Sequence, residues 1–363
     1  MKKTILYIID SLERGGAEIM LVSPLAEIQR NYTIVIVTLR PENVFTKQEL
    51  ISDKIYCLHM SSRTEIFRAS TKLKKIISEN QVTLVHSFLY WSSIVARIAC
   101  GKQTPYIFSL ATVMTAGVYK LKWYSSYTLW LDRLTYRKNH FVISPTKEVL
   151  QDFDDSVGLK GSSEIIYNFV KEEFFENKIK YAISKGSLRL VAVGNLKDVK
   201  NYQVLIDAFK LIKHLDVYLD IYGEGPEREM LQRQITAHGL RIQLKGNHEK
   251  VYEVLPGYDA YVMCSYIEGF GVSAAEAMAI GLPLLLSDIK VLREISVGNA
   301  LFFDPFDPES FAKIIESIFN SDRNLKDLSD KVKEVAKNNY TKEIYLQSLF
   351  KIYESLLNNT TQN

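Results

Sequence analysis

Short runs of Ile, Val and Leu alternate with longer segments of helical periodicity from one end of the 363-residue chain to the other. A strand that is apolar on both faces has to be covered on both, and parallel pairing with a crossover helix after each strand achieves this. The spacing therefore predicts an α/β chain with parallel sheets. Strands are expected at Thr4–Ile9, Thr33–Leu39, Ile55–Met60, Thr83–Phe88, Tyr106–Leu110 and Phe141–Ser144. Periodicity lapses over Phe169–Gly186, where charged residues gather, and this stretch reads as a linker. The pattern then restarts, with strands expected at Leu188–Val193, Tyr218–Tyr222, Ile242–Leu244, Ala260–Cys264, Pro283–Ser287 and Leu301–Phe303. Two doubly wound domains follow, residues 1–170 and 171–340, with residues 341–363 as a last amphipathic helix. Ligands of open α/β sheets bind outside the carboxyl ends of the strands, so the expected site is a cleft between the domains.

Composition removes several classes. Hydrophobic residues make up 47% and charged residues 24%, which excludes a disordered or fibrous chain. Cys57, Cys100 and Cys264 are odd in number and widely spaced, which fits neither a disulfide framework nor a thiolate metal site and suits a reducing compartment. The N-terminal run Ile5–Ile9 is too short for a signal-peptide core or a membrane span. A cytoplasmic location is expected, with a place on the membrane surface left open. The net charge of +3 is too mild to point to nucleic acid. Its distribution is uneven. Residues 1–150 hold 20 Lys and Arg against 11 Asp and Glu, a net of +9, and residues 151–363 a net of −6.

Four stretches could carry chemistry. Gly15-Gly16-Ala17-Glu18 follows the first strand and opens a helix, where amides and the helix dipole favour a phosphate, although the G-x-G-x-x-G dinucleotide spacing is absent. In the second half, Val193–Asn201 places a Gly at a strand end and Lys200 at the next helix, a point charge suited to a pyrophosphate. Gly223-Glu224-Gly225-Pro226 reads first as a turn. The fourth, Ser265–Met278, sets Glu268 in a glycine loop and Glu276 one turn into the following helix. Carboxylates there can accept hydrogen bonds from vicinal hydroxyls of a sugar or ribose; paired carboxylates also serve glycoside hydrolysis. Asp152-Phe153-Asp154-Asp155, which has the form of a metal-binding Asp-x-Asp, reads better as the solvated face of a helix.

In order and spacing these stretches resemble family 4 glycosyltransferases over the whole chain. The most specific part is the Glu268–Glu276 block running into Glu-Ala-Met-Ala-x-Gly-x-Pro (Glu276–Pro283), and Asp307–Glu309 adds a matching helix start. The resemblance implies the GT-B fold: two Rossmann-like domains facing an interdomain cleft, with the closing helix crossing back to the first domain. It implies a retaining transferase that uses a nucleoside diphosphate sugar and needs no metal or other cofactor. Lys200 would bind the donor diphosphate, with Gly16 offering its amide from the other domain. Glu276 would hold the ribose, Glu268 with the amides of Phe270 and Gly271 the transferred sugar, and Lys245 would help frame the base. By this reading Glu268 and Lys200 are the catalytic pair. Two positions depart from the pattern: Asn195 stands where members usually carry Arg, and Ala111 lies where many carry His. His86, at a strand end, is the available polar group on the acceptor side, although a lone strand-end His is more often a packing or hydrogen-bonding residue. The departures keep open a catalytically silent, nucleotide-sugar-binding accessory subunit, and a nucleotide-sugar epimerase of the same fold remains a third reading.

The basic half then falls to the acceptor. Between Glu79 and Glu148 the only carboxylate is Asp132, and residues 119–138 interleave Lys and Arg with Tyr and Trp. Such a segment suits an anionic membrane surface, which fits a family that glycosylates glycan and lipid-linked acceptors for cell-surface polysaccharide. Aromatics at helical spacing are equally the stuff of a core. Nucleic acid is not an expected partner.

Overall fold

The computed structural model describes residues 2–13, 15–101, 104–113, 122–177, 186–320 and 325–359, the side chains of 122–125 and 359 excepted. Among these, the apolar runs form two parallel sheets. The first contains β1 (Thr4–Ile9), β2 (Thr33–Thr38), β3 (Lys54–Cys57), β4 (Val82–Phe88), β5 (Tyr106–Ser109), β6 (His140–Ser144) and β7 (Ser163–Ile165), in the order β3-β2-β1-β4-β5-β6-β7. The second contains β8 (Leu188–Val193), β9 (Val217–Tyr222), β10 (Ile242–Gly246), β11 (Ala260–Met263), β12 (Leu284–Ser287) and β13 (Leu301–Phe303), in the order β10-β9-β8-β11-β12-β13. The winding reverses between β1 and β4 in one sheet and between β8 and β11 in the other, which creates a switch point in each.

Ile5, Leu6, Ile8 and Ile9 of β1 and Leu190 and Val191 of β8 are fully buried, as strands covered on both faces require. Each sheet has its own core. Leu6, Val35, Val85, Phe108 and Val142 meet the helices of the first, and Leu190, Leu219, Val262, Leu285 and Phe303 those of the second. β7 was not anticipated, because its Ser-Glu-Ile carries no apolar run and stays partly exposed at the sheet edge.

The chain forms two compact units, Met1–Asn168 with Glu343–Asn363, and Phe169–Lys342. The stretch read as a linker is anchored where it is described. Val170 N–H donates to the Tyr340 carbonyl (2.8 Å), and Phe169 and Phe174 are buried. The closing helix, Lys342–Asn359, packs on the first unit, where the Tyr353 hydroxyl meets that of Tyr7 at 2.9 Å. In the helix Lys147–Val157, Phe153 is buried, Asp154 accepts from the Leu159 N–H (2.7 Å) and Asp155 from Gln151 (2.9 Å). The Asp-x-Asp stretch is thus an acidic helix face.

Candidate active site

The loops after β8 and β11 flank the switch point of the second sheet, and backbone contacts lock them together. Tyr266 N–H donates to the Val199 carbonyl (3.0 Å), and the Cys264 thiol to the Lys200 carbonyl (3.0 Å). The β8 loop also rests on the Gly223–Gly225 turn: a Cβ on Gly225 would stand 2.4 Å from the Leu196 carbonyl oxygen, and one on Gly223 2.1 Å from that of Gly194. Gly-Glu-Gly-Pro is therefore more than a turn. Its glycines let two loops touch backbone to backbone. Asn201, at φ 53°, takes the left-handed conformation that Asn tolerates and ties its amide to the Pro305 carbonyl (2.7 Å), which fixes the residue after Lys200.

This scaffold brings Lys200 and Glu268 together, though they are 68 positions apart. Lys200 Nζ lies 2.5 Å from Glu268 Oε1, with side-chain exposures of 24% and 10%. The Ser265 hydroxyl donates to the same oxygen (2.6 Å). Ser265 was not singled out in the sequence, because a lone Ser in a loop has no pattern; its proximity to Glu268 was the available clue.

Gly271, at φ 84°, is the N-cap of the helix Val272–Ile280, and a Cβ there would press on Leu292 at 3.0 Å. This turn aims the start of the helix at the end of β11. Phe270, named for its amide, buries its ring against Tyr340 (5.3 Å between centroids). Glu276, half-buried on the second turn, has a carboxyl that burial pushes up from 4.5 to about 7, with Lys171 drawing it part of the way back. Lys245 Nζ lies 3.5 Å from Asp220, whose carboxylate accepts the Tyr258 hydroxyl at 2.6 Å. Asn195 is exposed on the β8 loop and adds no charge. The second unit thus brings Lys200 and Glu268 into contact, with Asn195, Phe270 and Gly271 on the same two loops and Glu276 on the helix that follows; Lys245 lies within β10, paired with Asp220. Among the described residues, no group of three or more His, Cys, Asp and Glu is placed to hold a metal.

In the first unit Gly16 is exposed at the first turn of the helix Gly16–Val22. The carboxyl of Glu18 folds back there onto the amides of Gly15 and of Glu18 itself, which offset part of the rise that burial imposes on its pKa. His86 requires a correction. It is fully buried, with Nδ1 on the Tyr353 hydroxyl (2.7 Å) and Nε2 on the Ser109 hydroxyl (2.8 Å). Burial lowers its pKa to about 3, so the ring is neutral. It is a hydrogen-bonding core residue that holds Ser109, not a surface ligand contact. Position 111, where the resemblance expects His, is an exposed Ala.

Two family models cover nearly the whole chain: Glycosyltransferase Family 4 matches residues 14–174 and Glycosyl transferases group 1 residues 173–338. The chain belongs to the family 4 glycosyltransferases, and its two parallel-sheet units are those of the GT-B fold. Among its relatives is the O-antigen biosynthesis glycosyltransferase WclY of Escherichia coli, 22% identical over 381 residues, which cover 97% of this chain and 98% of that one. The N-acetyl-alpha-D-glucosaminyl L-malate synthase of Bacillus anthracis is 28% identical over 166 residues; the match covers 43% of this chain and 42% of the relative's length. The crystal structure of Anabaena HepE in complex with UDP and glucose has the same fold, with a TM-score of 0.81, 17% identity, and coverage of 97% of this chain and 100% of that one.

Proposed function

We propose that the chain is a retaining, metal-independent transferase that moves a sugar from a nucleoside diphosphate donor to a glycan or lipid-linked acceptor in cell-surface polysaccharide synthesis. The observation that carries the reading is the Lys200–Glu268 pair held by two loops at a sheet switch point, with Glu276 on the next helix. A cation there neutralises a diphosphate, and two carboxylates accept sugar and ribose hydroxyls. UDP in the Anabaena neighbour makes a uridine nucleotide the first donor to test, and the O-antigen role of the E. coli relative supports a cell-surface product.

In this mechanism the bond between the anomeric carbon and the diphosphate oxygen breaks, and its electron pair leaves with the diphosphate. Lys200 and nearby amides stabilise that charge. The acceptor hydroxyl adds to the same face of the sugar, and its proton passes to the leaving phosphate oxygen. In the unliganded protein Glu268 is satisfied by Lys200 and Ser265. Donor binding hands Lys200 to the diphosphate and leaves Glu268 to the sugar.

Incubation with UDP-glucose or UDP-N-acetylglucosamine without acceptor tests this by proton NMR. Slow release of sugar, α anomer first and unaffected by EDTA, is expected. Release of the β anomer first contradicts retention, and a requirement for added magnesium contradicts metal independence. Asn195 favours one rival, the silent accessory subunit, which would bind donor and never turn it over.

We also infer a cytoplasmic protein that rests on an anionic membrane. On the helix Lys122–Thr135, Tyr127, Trp130 and Leu134 are exposed at 45, 57 and 63%, at spacings of three and four that share one face. Arg133, Arg137 and Lys138 are exposed nearby. Of the segment 119–138, residues 119–121 lie outside the described residues. No helix among the described residues is long and apolar enough to cross a membrane. Pelleting with anionic vesicles at low salt, weakened in Trp130→Ala, is expected; equal recovery in the supernatant with and without vesicles contradicts it.

A further inference from the structure

Two cavities of the first unit contain none of the donor-side residues. The larger, about 290 Å³, is bounded by Tyr90, Trp91, Phe108, Leu110, Val113 and Phe153, and most of its wall is apolar. The smaller, about 250 Å³, is much the more polar of the two: Asp10, Arg40, Ser61, Ser62 and Arg63 line it together with Leu39, Met60 and Trp91. Trp91 lines both, and the Arg63 guanidinium lies 5.0 Å from its ring centroid. Asp10 follows β1, Arg40 follows β2, Trp91 follows β4 and Leu110 follows β5, so both cavities lie beyond the strand ends where ligands of such sheets bind.

The apolar cavity has a few built polar features. Ser109 lines it and is held from behind by His86. Arg97 and Asp132 also line it as a buried ion pair, and among the described residues Arg97 Nε and Asp132 Oδ2 have no hydrogen-bond partner. Unsatisfied buried atoms on a charged pair are uncommon and call for an explanation. The polar cavity mixes a carboxylate, two hydroxyls and two guanidiniums, donors and acceptors together, which matches hydroxyls better than it matches a lone anion. A bare oligosaccharide would leave the apolar wall wet or strand its own hydroxyls against it. A simple hydrocarbon would leave the polar cavity unused.

We propose that the two cavities form one acceptor site for an amphipathic glycoside, its sugar head beside Asp10 and Arg63 and its apolar aglycone behind Trp91, with Ser109 as a polar contact at the rim. This rests on the glycosyltransferase reading and narrows its acceptor to a sugar carried on an apolar group. A purely polysaccharide acceptor does not fit.

Calorimetry with methyl, hexyl and octyl β-D-glucopyranosides and the matching galactosides, below their micellar concentrations, tests it. At least one series should bind ten or more times tighter as octyl than as methyl glycoside. Val113→Trp, which fills the apolar cavity, should abolish that gain, so that octyl and methyl glycosides bind alike, and leave binding of UDP unchanged. Arg63→Ala should weaken short and long glycosides alike. Absence of binding by every glycoside, a gain below threefold, or a full gain retained in Val113→Trp overturns the proposal. UDP is titrated in parallel. Glycoside binding without UDP binding would fell the transferase reading and keep the site, and UDP binding without glycoside binding would do the reverse.

Discussion

Glu276 is the residue whose environment makes the sharpest prediction. Its carboxyl is raised to about 7, because burial disfavours the charge. A donor ribose needs the carboxylate, so donor affinity should rise with pH up to about 7 and level off above it. If only the ionised form binds, affinity falls about tenfold from pH 8 to pH 6. Glu276→Gln should bind weakly and without that slope; an unchanged slope in the variant would assign the pH dependence elsewhere. The sign for stability is opposite. A carboxyl raised in the folded state takes up a proton that the unfolded chain releases, so its contribution is full below about 4.5 and is lost as pH rises through about 7. The residue types of the candidate site were legible where they sit at a strand end or near a helix start, as Lys200, Glu268 and Gly271 do. The contact between Lys200 and Glu268 was not, since a separation of 68 residues says nothing about distance until two strands are paired around a switch point. His86 was ambiguous for a related reason. A strand-end His looks available, and only tertiary structure shows Nδ1 taken by Tyr353 of the closing helix and Nε2 by Ser109 of β5.

At the scale of elements, strands buried on both faces announced themselves through unbroken Ile, Val and Leu, while β7, partly exposed and three residues long, left no trace. The glycine loops were legible as turns and illegible as packing. A turn is written in local sequence, but the contact of Gly225 with Leu196 joins two different loops. Gly225→Ala should therefore cost about 1–3 kcal/mol of stability through overpacking and weaken donor binding as well, because the β8 loop that bears Lys200 must shift. Thermal unfolding with and without UDP would check both. A variant as stable as wild type and equal in affinity would mean that the two loops do not support each other.

Across the whole molecule, the division of charge acquires a physical meaning once the burial is known. In the basic half, the single carboxylate between Glu79 and Glu148 does not offset surface charge. Asp132 is buried with Arg97, and that pair is internal. Arg137 and Lys138 are exposed in that stretch, and on the proposed function such cations would meet an acceptor or a membrane surface, while one lysine of the acidic half would meet the diphosphate. The central claim is that the loops around Lys200, Glu268 and Glu276 form a nucleotide-sugar site in the second unit. Calorimetric titration of wild type and Lys200→Ala with UDP and UDP-glucose tests it most directly. The account predicts saturable one-site binding by the wild type and a loss of about 10–100-fold in the variant, the worth of a charge-assisted contact. Equal affinity in the two proteins, or no uridine, guanosine, adenosine or thymidine diphosphate sugar bound by the wild type, would contradict it.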